Sequence, residues 1–212
     1  MNFGIIADGN RRWSRKTRVP TKMGHKKGFI ALKDEILPIL EKDPDFDTCT
    51  IYAFSTENWN RSPVEVKDLM SLFLELAEDF ITELLDRNYR VIVPGRKDRI
   101  SSELKAKVEI AEKLSEKNKK LTIYVCLDYG GRNEIERAVE KAQGTDFEKY
   151  LEIPNIDIVL RSGGERRLSN FCIWQTAYAE FFFVSKLLPD IKKHDIEEVL
   201  DQFRKRNRSR GE

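Results

Sequence analysis

No Cys-x-x-Cys pair occurs in this 212-residue sequence, and its three cysteines, Cys49, Cys126 and Cys172, lie far apart inside apolar runs. That pattern excludes a disulfide scaffold or a zinc ribbon and reads as reduced core thiols of a cytosolic protein. No apolar run approaches the ~20 residues that a membrane span needs, and no targeting segment is expected ahead of Phe3. A soluble, cytoplasmic protein is the expectation. An excess of one charge is missing too: 38 Lys+Arg stand against 36 Asp+Glu, for a formal net charge of +2. A globally basic face is thereby absent, and no nucleic-acid partner is expected. The sequence also lacks Gly-x-x-x-x-Gly-Lys-Ser/Thr, and it lacks Gly-x-Gly-x-x-Gly after its first strand, which sets aside the two best-known phosphate loops. Without internal repeats or low-complexity tracts, a chain of this length fits one domain, 1–212.

What is present starts at residues 3–13, Phe-Gly-Ile-Ile-Ala-Asp-Gly-Asn-Arg-Arg-Trp. The apolar run 4–7 reads as a buried parallel strand, and the polar residues after it fall at the carboxyl end, where open α/β sheets hold ligands. Asp8 offers a hard oxygen to Mg²⁺, Gly9 lets backbone approach a ligand, Asn10 both donates and accepts, and Arg12 carries the fork that suits phosphate. The same residues also fit a strand followed by a solvated Asp-Gly turn. A phosphatase with an aspartate nucleophile would want a second carboxylate nearby, which Gly9, Asn10 and Arg11 do not supply.

A basic approach follows, with His25 after Gly24, and then a helix over 29–40 that Pro38 kinks or ends. Residues 48–54 are β-branched and aromatic and make a second strand, which again discharges into polar residues: Ser55, Thr56, Glu57, Asn58, Trp59, Asn60 and Arg61. Turn and capping work would explain Ser55 and Asn58 equally well. Ser62, Pro63 and Glu65 start a long helix whose stripe from Val66 to Leu84 packs on the sheet or lines an elongated apolar cavity. Further strands are expected at 90–94, 121–127, 156–160 and 179–184, and helices at 101–117, 134–142, 168–178 and 194–207. The fifth strand ends in Arg161-Ser162-Gly163-Gly164-Glu165-Arg166-Arg167-Leu168-Ser169, where glycine amides ahead of a helix and guanidinium forks would form an anion site. Glu180, beside three phenylalanines, needs a cation, a donor or a rim position.

The motifs in this order resemble the cis-prenyltransferases, the family typified by undecaprenyl diphosphate synthase. Besides residues 5–13 they include Gly24-His25, Tyr-Ala-Phe-Ser-Thr-Glu-Asn-Trp-Asn-Arg-Ser, Tyr-Gly-Gly-Arg-Asn-Glu-Ile, the Arg161 loop and Ala-Tyr-Ala-Glu, and they span nearly the whole chain. The Asp-Asp-x-x-Asp motifs of the all-helical trans-prenyl synthases are missing. The resemblance implies a single α/β domain: a central six-stranded, mostly parallel sheet flanked by helices, with an elongated hydrophobic tunnel. It implies condensation of isopentenyl diphosphate onto farnesyl or geranyl diphosphate with Z geometry, towards an undecaprenyl-type carrier lipid, in a homodimer that meets a membrane for product release. A non-catalytic partner subunit of such an enzyme is the alternative.

By motif position, Asp8 would hold Mg²⁺ with help from Glu180. Gly9, Asn10, Arg12 and His25 would cradle the allylic diphosphate, and Arg11, Trp13 and Arg61 would be further substrate-binding residues. Ser55 and Asn58 would take part in proton removal, Phe54 and Trp59 would wall the site, and Arg161, Arg167 and Ser169 would clamp isopentenyl diphosphate. Thr21 stands where the family usually has an arginine, Asp128 where it has asparagine, and the carboxyl-terminal Arg-x-Gly aligns on Ser209-Arg210-Gly211. A small residue at Ala53 goes with longer products, and Phe46 with a shorter tunnel.

Overall fold

The computed structural model describes residues 1–206, without the side chains of Leu84 and Leu85. The chain opens with β1 (Asn2–Ile6), buried along its whole length, and turns into α1 (Asn10–Thr17) and α2 (Thr21–Ala31). The backbone widens into a π turn over Leu32–Ile36 before α3 (Leu37–Lys42), so the disturbance lies one turn ahead of Pro38. The proline lacks an N–H and crowds the preceding turn, while its position in the first turn of α3 is a tolerated one. After β2 (Thr48–Ser55) comes a 3₁₀ turn at Thr56–Asn60, and then α4 (Pro63–Asp86). The order continues through β3 (Tyr89–Ile92), α5 (Ser102–Ser115), β4 (Leu121–Tyr129), α6 (Gly131–Ala142), β5 (Ile158–Arg161), β6 (Glu180–Phe183) and α7 (Lys193–Lys205).

The six strands form one sheet in the order β3-β4-β2-β1-β5-β6, and every pairing is parallel. From β1 the connections lead to β2 on one side and later to β5 on the other, so the topological switch point lies at the carboxyl end of β1. One face carries the main core, with Ile5, Ile51, Ile123 and Leu160 under the helices, and the other buries Ile6, Tyr52, Cys126 and Val159. All three cysteines are free and buried. No described helix is long and apolar enough to cross a membrane.

Two expectations are corrected here. Residues 168–178 run as successive turns instead of a helix, with left-handed backbone at Ser169, Asn170 and Cys172. Their hydrogen bonds go elsewhere: the Asn170 carbonyl accepts from Gly131 N (2.7 Å), and the Ser169 carbonyl accepts from the Tyr52 hydroxyl (3.2 Å). Phe46 packs edge-on against Phe3 in the core (5.9 Å between centroids), away from the cavity described below.

Candidate active site at the carboxyl end of the first strand

Asp8 stands just beyond β1, and its backbone is clamped on both sides by the buried Ser162: Asp8 N donates to Ser162 Oγ (3.0 Å), which donates to the Asp8 carbonyl (2.7 Å). Gly9 then takes φ 105° to turn the chain into α1, and its Cα lies so close to Leu187 that a Cβ there would collide. The carboxylate of Asp8 accepts from Arg161 Nη2 (2.9 Å) and Arg12 Nη2 (3.2 Å). Burial opposes ionisation of Asp8, but the hydrogen bond and charge of Arg161, then those of Arg12, hold its carboxyl below the ordinary range. Arg161 is buried, and its other arm donates to Ser169 Oγ (2.9 Å) and to the Arg167 carbonyl. An ionised acid framed by guanidinium groups at the switch point is thus fixed from both the β1 and the β5 side.

The amino end of α1 faces the same place and has no acid in its first turn, which leaves its positive end for an anion. Asn10 donates from its amide nitrogen to His25 Nδ1 (3.3 Å), so the ring proton of neutral His25 is on Nε2. That nitrogen is buried with no hydrogen-bond partner among the described residues. Burial, then the charges of Arg61 and Arg11, push the His25 pKa down to about 4. An unfolded histidine titrates near 6.5, so the unfolded chain takes up this proton first as the pH falls. The stability associated with neutral His25 is fully present above that value and is lost between about 6.5 and 4, a difference of about 3 kcal/mol. Urea unfolding at pH 7 and pH 4 should therefore show wild type losing about 3 kcal/mol more than His25→Gln. Equal losses would show that the ring is not held neutral.

Glu65 has a role that the sequence hid behind its capping position: it pairs with both Arg11 Nε (3.2 Å) and Arg61 Nη1 (3.1 Å) and holds these two cations beside His25. Ser162 was equally silent, since a serine after a strand signals only a turn. Ser55 and Asn58 end β2 in a reciprocal cap, with Ser55 N donating to Asn58 Oδ1 (3.1 Å). Phe54 packs edge-on against Phe73 and Trp59, and Trp59 Nε1 donates to Asp128 (2.8 Å). Asp128, fully buried, is neutralised by Arg99.

Several expected positions are not brought to this cluster. The Trp13 indole donates to Asp190 (2.8 Å) and ties α1 to the turn at Leu188–Asp190. The Arg167 side chain is exposed and pairs with Glu165 (2.7 Å), so the loop reaches Arg161 only through the Arg167 carbonyl and Ser169. The amides of Gly163 and Gly164 donate to the carbonyls of Lys186 (2.7 Å) and Val184 (2.8 Å), and no helix follows them to bind an anion. Glu180 opens β6 in register with Ile158 and hence with Phe3, at the amino end of the sheet. The rows from Phe3 to Ile6 alone span about 10 Å at ~3.3 Å per residue, so one chain's Glu180 does not reach its own Asp8. It pairs instead with Arg206 (2.5 Å). Lys22, next to Thr21, is held by Glu75 (2.7 Å), and Ser209, Arg210 and Gly211 lie outside the described residues.

Directly beside the cluster opens an apolar cavity of about 160 Å³. Ala7, Asn10 and His25 line its mouth, α4 covers it with Leu72, Phe73, Leu76, Ala77, Phe80 and Ile81, and its floor is the sheet, with Ala53 and Val125. The broad stripe of α4 therefore does line a cavity, and that apolar cavity adjoins the Asp8–arginine cluster.

Known proteins resemble this chain over its whole length. The family model for undecaprenyl diphosphate synthases of the prenyltransferase class matches residues 6–211. A tritrans,polycis-undecaprenyl-diphosphate synthase (geranylgeranyl-diphosphate specific) of Thermococcus kodakarensis is 40% identical over 231 residues, covering 99% of this chain and 86% of its own. A farnesyl-diphosphate-specific ditrans,polycis-undecaprenyl-diphosphate synthase of Buchnera aphidicola is 36% identical over 228 residues, covering 99% and 90%. Among solved structures, lavandulyl diphosphate synthase from Lavandula x intermedia in complex with dimethylallyl diphosphate superimposes with a TM-score of 0.92 at 31% identity, over 100% of this chain and 98% of that one.

Proposed function

The chain belongs to the undecaprenyl diphosphate synthase family of prenyltransferases, and from that premise we propose that it condenses isopentenyl diphosphate with an allylic diphosphate to build a Z-polyprenyl diphosphate. The observation that carries this reading is the ionised Asp8 between Arg12 and Arg161 at the mouth of an apolar cavity. In each turn a carbon–carbon bond forms between the two substrates, the allylic carbon–oxygen bond breaks, pyrophosphate departs and a proton leaves the isopentenyl unit. Arg12, the amino end of α1 and the unpartnered His25 Nε2–H bind and orient the allylic diphosphate, while Arg161 and Ser169 bind the second diphosphate. The cavity takes the growing chain and keeps water from the cationic carbon. Ser55 and Asn58, at the end of the strand beside β1, are assigned to proton removal.

The residues fit Mg²⁺ as the metal. Asp8 would hold it through one hard carboxylate oxygen, with a bound diphosphate as the source of further oxygen donors. Mg²⁺ accepts such a set, and when bound it neutralises the departing pyrophosphate.

A homodimer fits the outer edge of the sheet. Among the described residues β6 is an edge strand with no partner on its outer side, its Phe181 and Phe183 rings stack at 6.1 Å, and Phe183, Trp174 and Tyr178 are exposed, Tyr178 at 77%. An edge of this kind invites a second copy. A purely monomeric sedimentation profile at micromolar concentration would remove that assignment.

The relatives named above differ in the primer their names specify, so family membership leaves the primer open here. The test uses purified protein, radiolabelled isopentenyl diphosphate and either farnesyl or geranyl diphosphate, with Mg²⁺ or with chelator. Polyprenyl product that disappears on chelation is expected. Absence of product from every primer would favour a non-catalytic partner subunit.

A further inference from the structure

The ladder between β2 and β4 carries an extra residue near its end. Phe54 pairs with Leu127 and Ser55 with Tyr129, so Asp128 stands without an opposite residue on β2 and takes φ 49°. A bulge of this kind re-aims a side chain, and aspartate tolerates the left-handed backbone that most residues avoid. The connection that leaves β3 is laid over the bulge: Leu127 N donates to the Pro94 carbonyl (3.1 Å), and Arg96 N donates to the Asp128 carbonyl (3.0 Å). Arg99, three residues on, then meets the Asp128 carboxylate with both Nε (2.8 Å) and Nη2. The same carboxylate accepts the indole N–H of Trp59 (2.8 Å), and the Arg99 guanidinium lies 5.2 Å from the centre of that ring.

Trp59 is thereby held at its edge by Asp128, on its face by Arg99, and against Phe54 at 5.4 Å between centroids. Core packing does not call for such a device. An ion pair taken out of water contributes little net stability, and apolar side chains of similar volume do as well, yet Asp128 is fully buried. What the forked pair fixes is direction, because two parallel N–H bonds set the carboxylate and the carboxylate sets the rotation of the indole. Trp59 directly follows Asn58 in the 3₁₀ turn Thr56–Asn60, the turn that Ser55 and Asn58 cap at the end of β2. We propose that Asp128 and Arg99 are positioning residues, which orient Trp59 and through it hold Asn58 in place at the end of the strand beside β1. This rests on the reading of Ser55 and Asn58 as the groups of proton removal and adds the pair that places them.

Asp128→Gly deletes the acceptor and keeps the left-handed backbone without strain. In steady-state assays its kcat should fall roughly 10²-fold, the cost of a reacting group displaced by about 1 Å, while KM for both diphosphates stays at the wild-type value. Asp128→Asn keeps an acceptor for the indole and should retain more activity than Asp128→Gly. The decisive comparison is made in Trp59→Phe, which has no ring N–H: there Asp128→Gly should cause no further loss. A loss by the same factor in both backgrounds, or one that only follows the folded fraction, would overturn the proposal. Should Asp128→Gly not fold, Arg99→Met combined with Asp128→Asn removes the charge pair without stranding an ion; a lowered kcat at unchanged KM upholds the proposal there, and a wild-type kcat overturns it. Protection of the Trp59 indole proton from exchange, read by NMR, needs no turnover: it should be present in wild type and lost in Asp128→Gly. A protein that shows this loss yet never forms polyprenyl product would uphold the clamp on Trp59 and overturn the prenyltransfer reading instead.

Discussion

Asp8→Asn is expected to lower turnover roughly 10³-fold or more, the scale seen when one preorganised electrostatic group is removed from a transition state. The same variant should unfold at nearly the wild-type temperature. The choice of asparagine follows from the structure. Arg161 is buried and donates to the Asp8 carboxylate (2.9 Å), so Asp8→Ala would strand a buried guanidinium with only Ser169 and a carbonyl as acceptors. That loss would reduce stability and blur the assignment. Asparagine keeps an acceptor for Arg161 and deletes the charge. Steady-state kinetics together with thermal unfolding separate the outcomes: activity within tenfold of wild type would remove Asp8 from the catalytic centre. A variant that loses activity only in step with its folded fraction would make the residue structural.

The strand ends were legible because parallel strands are read twice, once as an apolar run and again as the polar residues that the run delivers. Asp8, Asn58 and Arg161 each follow such a run, and the sheet order places the ends of β2, β1 and β5 side by side. Glu180 shows where this reading stops. Sequence identifies a carboxylate beside a strand but does not say at which end of the sheet it stands, and only the register with Ile158 settles that. The turns at 168–178 were missed for a different reason. Their apolar spacing suits a helix, but Phe171 and Cys172 are buried against Tyr52 and Cys126, and Asn170 bonds to Gly131, Arg132 and Glu57. Contacts from three distant parts of the chain outweigh a local preference of a few tenths of a kcal/mol per residue. Glu65 was hidden in the same way, since Arg11, which shares it with Arg61, lies more than fifty residues earlier.

The second large effect is expected at Ala53, whose methyl group faces the cavity from β2, between the mouth at Ala7 and the far strands β4 and β3. Ala53→Phe places a benzene ring there, and the cavity, at about 160 Å³, matches in size the engineered apolar cavity of roughly 150 Å³ that binds one benzene. The ring should therefore fill the path and leave the diphosphate cluster untouched. The first condensation should proceed, and further additions should stop, so that short products replace the polyprenyl distribution. Filling an apolar void with a side chain that fits also stabilises by about 0.5–2 kcal/mol, which gives a second readout in the opposite direction from most core substitutions. Chromatography of the labelled products and urea unfolding together make the test specific. Short products with raised stability are the expected pair. An unaltered product length in a folded variant would mean that the chain does not grow along this cavity, and the role of α4 as its cover would fall with it.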